Sequence, residues 1–465
     1  MTNYSAKHAV RTINGLEPTQ DRLDQKRSNP SLILDPRTYK RSLDCVHCGL
    51  CLPSCPTYTQ NGLEADSPRG RIVLIKGMAD GKIDPTDSVL QHLDLCLDCR
   101  ACETACPSGV VYHELIENTR AQLASRRHYG LIERIIRGIF LHIMTNPNRL
   151  KLTLLPARLL QKLRLWRLVT TNSLAKLFPA SFQKMIEMLP RGGPLWETRL
   201  SAYYPAKRHV IDHAPARATV CLFAGCVGSV LFQKVNRQTI RLLQHAGCDV
   251  IVPRLQTCCG AIHHHAGDLE GAKHLARQNI DVILPLNGPS PPIDFIVNNI
   301  SGCGAALKDL EHLLRDDPVY ADRAKVFAAK TRDISELLVD LETPEPRNPI
   351  HRTVTFHHAC HLIHAQKVDE QPLKLLKRIK GLRLVPLVES DMCCGAAGTY
   401  NLTQPQMSRE LGQRKIRHIQ STGATCAVTA NVGCAMQIES EALRSGIKLD
   451  VVHPVSLLHE AYFGS

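Results

Sequence analysis

The string CVHCGLCLPSCP, Cys45 to Pro56, returns fifty-one residues later as CLDCRACETACP, Cys96 to Pro107. Eight thiols on two copies of one spacing, each closed by proline, constrain the chain more than any other feature. Cysteines at i, i+3 and i+6 let a loop wrap three corners of a small cubic core while its amides point at the core. The fourth, just before proline, leaves on the next segment and serves the core of the other motif. This is the spacing of two [4Fe–4S] clusters. Cys45, Cys48, Cys51 and Cys106 are assigned to the first cluster, and Cys96, Cys99, Cys102 and Cys55 to the second. Zinc would pair two CxxC knuckles and has no use for the triple spacing. Arg69, Arg71, Lys76 and Arg100 lie near the motifs. They would raise cluster potentials if they face sulfur, and are ordinary solvated charges otherwise.

At 465 residues the chain is too long for one core, so several domains are expected. No window reaches the run of about 20 apolar residues that spans a bilayer. The N-terminus is polar and lacks a signal peptide's apolar core, so the expected location is cytoplasmic. There, clustered cysteines among the nineteen bind metal or do redox chemistry more often than they form disulfides. Residues 131–215 hold fourteen Lys/Arg against four Asp/Glu, a balance of +10 out of the chain's +14. That segment suits an acidic partner or the inner face of the cell membrane, as a peripheral contact. It matches no nucleic-acid-binding pattern, so no nucleic acid partner is expected.

Five regions follow along the chain. Residues 1–40 read as a polar extension, and 41–130 as a helical two-cluster domain with a helix over RIVLIKGMADGKI. Residues 131–215 read as a basic connector of short helices, punctuated by Pro147, Pro156, Pro179, Pro190 and Pro194. There Leu155, Leu159, Leu163 and Trp166 share one helical face. Residues 216–345 and 346–465 read as two copies of one α/β unit. ATVCLF, CDVIVP and DFIVNN are strands of the first, and RTVTF, LRLVPLV and ATCAVTA of the second, with helices between. The marker cysteines repeat at near-constant intervals: Cys226 to Cys360 is 134 residues, Cys258 to Cys393 is 135, and Cys303 to Cys434 is 131. Each follows a predicted strand's C-terminal end, where open α/β sheets place ligands.

Each copy thus offers four thiols: Cys226, Cys258, Cys259 and Cys303, or Cys360, Cys393, Cys394 and Cys434. Adjacent cysteines can both face a metal core where a following glycine lets the backbone turn. Spacing alone leaves three uses open: a further iron–sulfur cluster in each copy, one shared site, or a docking platform without metal. The histidines of HHACH and of HHH at 263–265 read as structural groups rather than ligands, and Cys221, Cys248 and Cys426 as small buried hydrophobes within strands.

A cysteine, a gap of 31 or 32 residues, CCG and a later cysteine resemble the cysteine-rich domain of heterodisulfide reductase. That form ends in CxxC; ISGC and NVGC here lack its first cysteine, which argues against carrying over its disulfide-cleaving chemistry. A longer resemblance covers nearly everything from residue 41 onward. CVHCGLCLPSCPTY, DSPRGRIVLIKGM, HLDLCLDCRACETACPSGV, CCGAIHHHAGD, SGCGAALKD, ACHLIHAQKV and SDMCCGAAGTYNL are similar to the iron–sulfur subunit family of glycolate oxidase (glycolate dehydrogenase). The resemblance implies a multidomain protein, an α-helical ferredoxin-like dicluster domain followed by a duplicated α/β (CCG) pair. It implies an electron-transfer subunit that takes electrons from an FAD-containing partner subunit oxidising a 2-hydroxy acid, and passes them toward a quinone or other membrane-linked acceptor. No catalytic residue is expected on this chain. Consistently, it has no GxGxxG after a strand and no P-loop, so flavin chemistry falls to a partner. The alternatives are a lactate or glycerol 3-phosphate complex of the same architecture, a disulfide reductase, and a non-catalytic scaffold.

Overall fold

The computed structural model describes residues 34–126, 131–163, 199–207, 216–286 and 291–464. Most of the polar extension, together with Trp166, Pro179, Pro190 and Pro194 of the connector, lies outside the described residues.

The first unit is helical. Helices Pro36–Ser42, Pro56–Asn61, Pro68–Ala79, Asp87–Asp94 and Tyr112–Arg126 surround a core that includes Ile72, Ile75, Met78, Leu93, Leu115 and Ile116. Burying each such side chain contributes roughly 1.5–3 kcal/mol. Pro56 and Pro68 start their helices, where a missing N–H leaves nothing unpaired. Ser67 Oγ caps the second, accepting from the Gly70 amide at 3.0 Å.

The two cysteine motifs share a backbone as well as a spacing. Their third residues, His47 and Asp98, have φ of 55° and 53°, and their fifth, Gly49 and Arg100, of 86° and 61°. Outside glycine this left-handed conformation costs roughly 1–2 kcal/mol per residue. Here it turns amides inward: the Asp98 N–H donates to Cys96 Sγ at 3.3 Å.

Two sheets follow. In the first, β2 (Ala218–Leu222), β3 (Cys248–Ile251), β4 (Phe295–Asn298) and β5 (Thr331–Asp333) are parallel in the order β3-β2-β4-β5, with β1 (Tyr203–Tyr204) antiparallel on the β3 edge. In the second, β6 (Arg352–Phe356), β7 (Leu382–Val385), β8 (Cys426–Val428) and β9 (Asp450–Val452) repeat that order as β7-β6-β8-β9. The chain reverses direction between the first and third strands of each copy, the switch point at which such sheets open a crevice. Val220, Leu222, Val250 and Val297 share one core with Val354, Phe356, Cys426 and Val428, so the two copies pack against each other. At the ends of the sheets, the Ser301 amide and hydroxyl both donate to the Ala430 carbonyl, at 3.0 and 2.6 Å.

Two expectations for the connector are corrected. Pro156 does not break its helix, which runs unbroken from Pro147 to Lys162. The carbonyl deprived of a donor is that of Leu152, a residue 71 % exposed, so the freed carbonyl lies on the side of the helix open to solvent. Nor is Leu155, Leu159 and Leu163 the packed face: Leu159 and Leu163 are 47 % and 56 % exposed. Leu150 and Leu154, one turn apart, pack instead on Val230 of the first sheet domain, and Arg158 donates to the Val230 carbonyl at 2.7 Å.

Candidate iron–sulfur and thiol sites

Cys55, Cys96, Cys99 and Cys102 are all buried and line one cavity with Arg71, Pro56, Pro68 and Tyr112. This is the set assigned to the second cluster, and four thiols about an enclosed space are the donors such a cluster requires. Arg71 is 1 % exposed. Its Nε donates to the His92 carbonyl at 2.7 Å, its Nη2 donates to Thr57 Oγ1 at 3.0 Å, and its Nη1 lies 3.9 Å from Cys55 Sγ. Nearby thiolates and Asp66 outweigh burial and hold the guanidinium charged. Burial pushes the Cys99 and Cys102 thiols well above their usual range, so they ionise only against a cation.

The first set lies nearer the surface, with Cys48 exposed and Cys45, Cys51 and Cys106 half-buried. Around it Leu43, Val46, Leu50 and Leu63 expose 53–68 % of their surface. Arg69 braces this loop, donating to the His47 carbonyl at 2.9 Å while pairing with Glu64. The four basic residues therefore divide. Arg71 and Arg100 are buried, Arg69 is a brace, and Lys76 pairs with Asp80 at the surface.

In the first cysteine-rich domain, Cys226 Sγ and Cys258 Sγ lie 3.4 Å apart, and the Gly260 amide donates to Cys258 Sγ at 3.5 Å. Hydrogen bonds from Cys258 and Cys303 draw the Cys259 thiol well below its usual range. In the second, Cys360 Sγ and Cys393 Sγ lie 4.0 Å apart, and Asn431 Nδ2 donates to Cys434 Sγ at 3.4 Å. Each set thus gathers its own sulfurs. The glycines after the cysteine pairs, Gly260 and Gly395, have φ of 89° and 88°. A Cβ on Gly395 would stand 2.7 Å from the Ser408 carbonyl oxygen, against 3.2 Å from that of Ala272 for Gly260. Gly395→Ala is therefore expected to cost at least about 2 kcal/mol and to lower the thermal midpoint more than Gly260→Ala does.

Sequence reasoning set the histidines of HHACH together as structural groups, and the structure separates them. His358 faces Asp369 at 3.2 Å, and His361 Nε2 donates to the Asp98 carbonyl at 3.0 Å. His357 differs. It is 0 % exposed, its Nδ1 donates to the Ser390 carbonyl at 2.9 Å, and its Nε2 has no partner. That ring offers a ligand atom within 4.8 Å of those of Cys394 and Cys434. Counting back three residues from the first cysteine, the other copy has Phe223 in this place, an asymmetry readable from the sequence by aligning the repeats. Lys415, 2 % exposed, lies near Cys394 and Cys393 and donates to the Glu389 carbonyl. Burial lowers its ammonium's pKa, while Cys394 and Cys393 act to keep it charged. Cys221, Cys248 and Cys426 are fully buried in their strands, as expected.

The helical unit docks on both cysteine-rich domains. Cys99 packs in one cluster with Cys360, Cys393, Tyr400 and Met407, and Tyr400 Oη donates to the Leu95 carbonyl at 3.0 Å. The buried thiols of the second motif thus abut those of the second cysteine-rich domain. On the other side Arg100 pairs with Asp309 and Glu117. Burial opposes ionising Asp309, yet Arg100 and His113 draw its carboxyl down to about 2. This ion pair stabilises the junction above about pH 4 and is lost as pH falls toward 2. The stability gap between the parent chain and Asp309→Asn is expected to be about 2 kcal/mol near neutrality and to close in acid, as read by unfolding at a series of pH values.

Paired cluster motifs followed by two cysteine-rich α/β domains define a multi-site iron–sulfur electron carrier. Residues 41–110 match the 4Fe-4S dicluster domain family, 220–308 and 354–439 the cysteine-rich domain family, and 132–189 the linker region of the glycolate oxidase iron-sulfur subunit. The chain is 37 % identical over 432 residues to a probable glycolate oxidase iron-sulfur subunit of Bacillus subtilis, covering 90 % of this chain and 94 % of that one. It is 34 % identical over 424 residues to the glycolate oxidase iron-sulfur subunit of Escherichia coli, covering 90 % and 93 %. Lactate utilization protein A of Halalkalibacterium halodurans is 32 % identical over 241 residues, covering 52 % of this chain and 96 % of that protein. The chain belongs to the glycolate oxidase iron–sulfur subunit family.

Proposed function

We propose that this chain carries electrons from an FAD-containing partner that oxidises glycolate, or a related 2-hydroxy acid, toward a quinone or other membrane-linked acceptor. The observation that carries the reading is the contact of Cys99 with Cys360 and Cys393, which sets the second motif against the second cysteine-rich domain. Iron–sulfur clusters, when bound, supply one-electron carriers. The chain's own residues hold them, exclude water and set the surrounding charge. Cys45, Cys48, Cys51 and Cys106 form the exposed end, and the aliphatic residues around Cys48 suit docking of the flavoprotein. Cys55, Cys96, Cys99 and Cys102 form the buried end.

Beyond it, Cys360, Cys393, Cys394 and Cys434 hold a further cluster, with His357 Nε2 as a nitrogen ligand to it. Two observations support this: the unpartnered Nε2 of His357 and the buried Lys415, whose charge needs a negative counterpart. His357→Phe, which copies the residue of the other repeat, is expected to shift the EPR signal of this site and leave the dicluster signals in place. An unchanged spectrum would remove His357 from the site.

Ile135 and Ile139 on the helix Leu131–Met144, and Leu152 and Leu159 on its neighbour Pro147–Lys162, expose apolar faces within the basic connector. They suit the inner face of an anionic membrane. No helix among the described residues is long and apolar enough to cross one. Lactate is the second substrate reading, favoured by the similarity to lactate utilization protein A. Affinity purification of the native complex tests the whole. FAD-containing polypeptides should accompany the chain, glycolate should bleach them and then reduce the clusters, and salt should release the complex from anionic vesicles. A chain that purifies without a flavoprotein, or clusters that no hydroxy acid reduces, would defeat the reading.

A further inference from the structure

We infer that the junction between the helical unit and the first cysteine-rich domain holds a site for one divalent transition-metal cation, ligated by His113, Glu117 and His312. His113 and Glu117 lie one turn apart on the helix Tyr112–Arg126, and His312 comes from the opposite domain on Leu310–Leu313. Each offers a ligand atom, and the three atoms lie within 4.8 Å of one another. The imidazoles meet edge to face, their centroids 5.6 Å apart.

The His113 ring is held as a metal-bound histidine is, and His312 is fixed by charged neighbours. His113 Nδ1 lies 2.8 Å from Glu103 Oε1, which also accepts the His113 backbone N–H at 2.6 Å. His312 Nδ1 lies 3.3 Å from Glu114 Oε1; Arg315 Nη1, 3.1 Å from the same nitrogen, pairs with Glu114 as well. With its Nδ1–H directed to a carboxylate, His113 leaves its Nε2 lone pair for a metal, the carboxylate–histidine–metal arrangement, while His312 Nδ1 accepts from Arg315 Nη1.

The second observation is Glu117 itself. Its side chain is 4 % exposed, and its Oε2 is buried without a hydrogen-bond partner. A carboxylate oxygen left so carries a desolvation penalty that a cation removes. The Arg100 guanidinium does not suffice to balance it. Arg100 stands 3.5 Å from Glu117 Oε1, but the same group also faces Asp309 and Asp98. His264 Nε2 stands 3.7 Å from Glu117 Oε2, and an Asp98 carboxylate oxygen lies within 4.8 Å of a Glu117 oxygen. Two imidazoles and a carboxylate suit zinc or ferrous iron rather than calcium or magnesium. The bound ion would pin the helix Tyr112–Arg126 of the dicluster unit to the first cysteine-rich domain. The inference does not depend on the substrate or on electron flow.

The test uses the full chain, purified anaerobically with its iron and sulfide quantified, and titrated with Zn2+ alone. One equivalent should bind tightly without loss of iron. X-ray absorption at the zinc edge should show only nitrogen and oxygen neighbours near about 2.0–2.1 Å, with no sulfur at about 2.3 Å. His312→Ala should weaken Zn2+ binding by about 100-fold or more, and Glu103→Gln, which leaves all three ligands in place, by about 10- to 100-fold. Unchanged iron content shows that each variant has folded; should His312→Ala fail to, Glu103→Gln carries the test. No tight zinc, a sulfur shell around it, or equal binding by the folded variants would overturn the assignment.

Discussion

Cys99→Ala is expected to remove one of the two dicluster EPR signals, lower the iron of the dicluster unit from about eight to about four, and bring hydroxy-acid-dependent reduction of the acceptor to background. The size of the effect follows from position. Cys99 belongs to the buried thiol set, and it packs on Cys360 and Cys393. Losing it removes the second-motif thiol that lies against the second cysteine-rich domain. Cys48→Ala, at the exposed end, should remove the other signal instead. A Cys99→Ala chain that kept both signals would refute the ligand assignment.

Arg71→Met is expected to make the second dicluster potential more negative by on the order of 100 mV. A unit charge about 6 Å away at an effective dielectric of about 20 is worth on the order of 3 kcal/mol, and Arg71 is too deeply buried for solvent to screen it. The guanidinium favours the reduced, more negative state, so deleting it disfavours reduction. Arg69→Met should move the same potential far less, because Arg69 is partly exposed and paired with Glu64. Redox titration followed by EPR reads both variants. Equal shifts would show that proximity in sequence, not burial, sets the field.

The cysteines were legible because a metal core imposes its geometry on local spacing, and a loop of seven residues carries most of it. The strands were legible where β-branched and apolar residues run together, as in ATVCLF and RTVTF. β5 (TRD) and β9 (DVV) were not, since three residues at a sheet edge carry no periodicity. Pro156 misled because the cost of proline depends on whether water reaches the freed carbonyl, which the string does not record. The division among Arg69, Arg71, Lys76 and Arg100 was hidden for the same reason, burial being a tertiary property. His357 is a different case. The two repeats, aligned on their first cysteine, set His357 against Phe223, a difference that the amino-acid string alone carries.

The most direct test is the iron and acid-labile sulfide content of the chain isolated without oxygen, read together with its dithionite-reduced EPR spectrum. A brown protein with about eight or more of each per chain, and the spectrum of paired cubanes, is the predicted result. A colourless chain, or one carrying zinc in place of iron at the paired motifs, would contradict it.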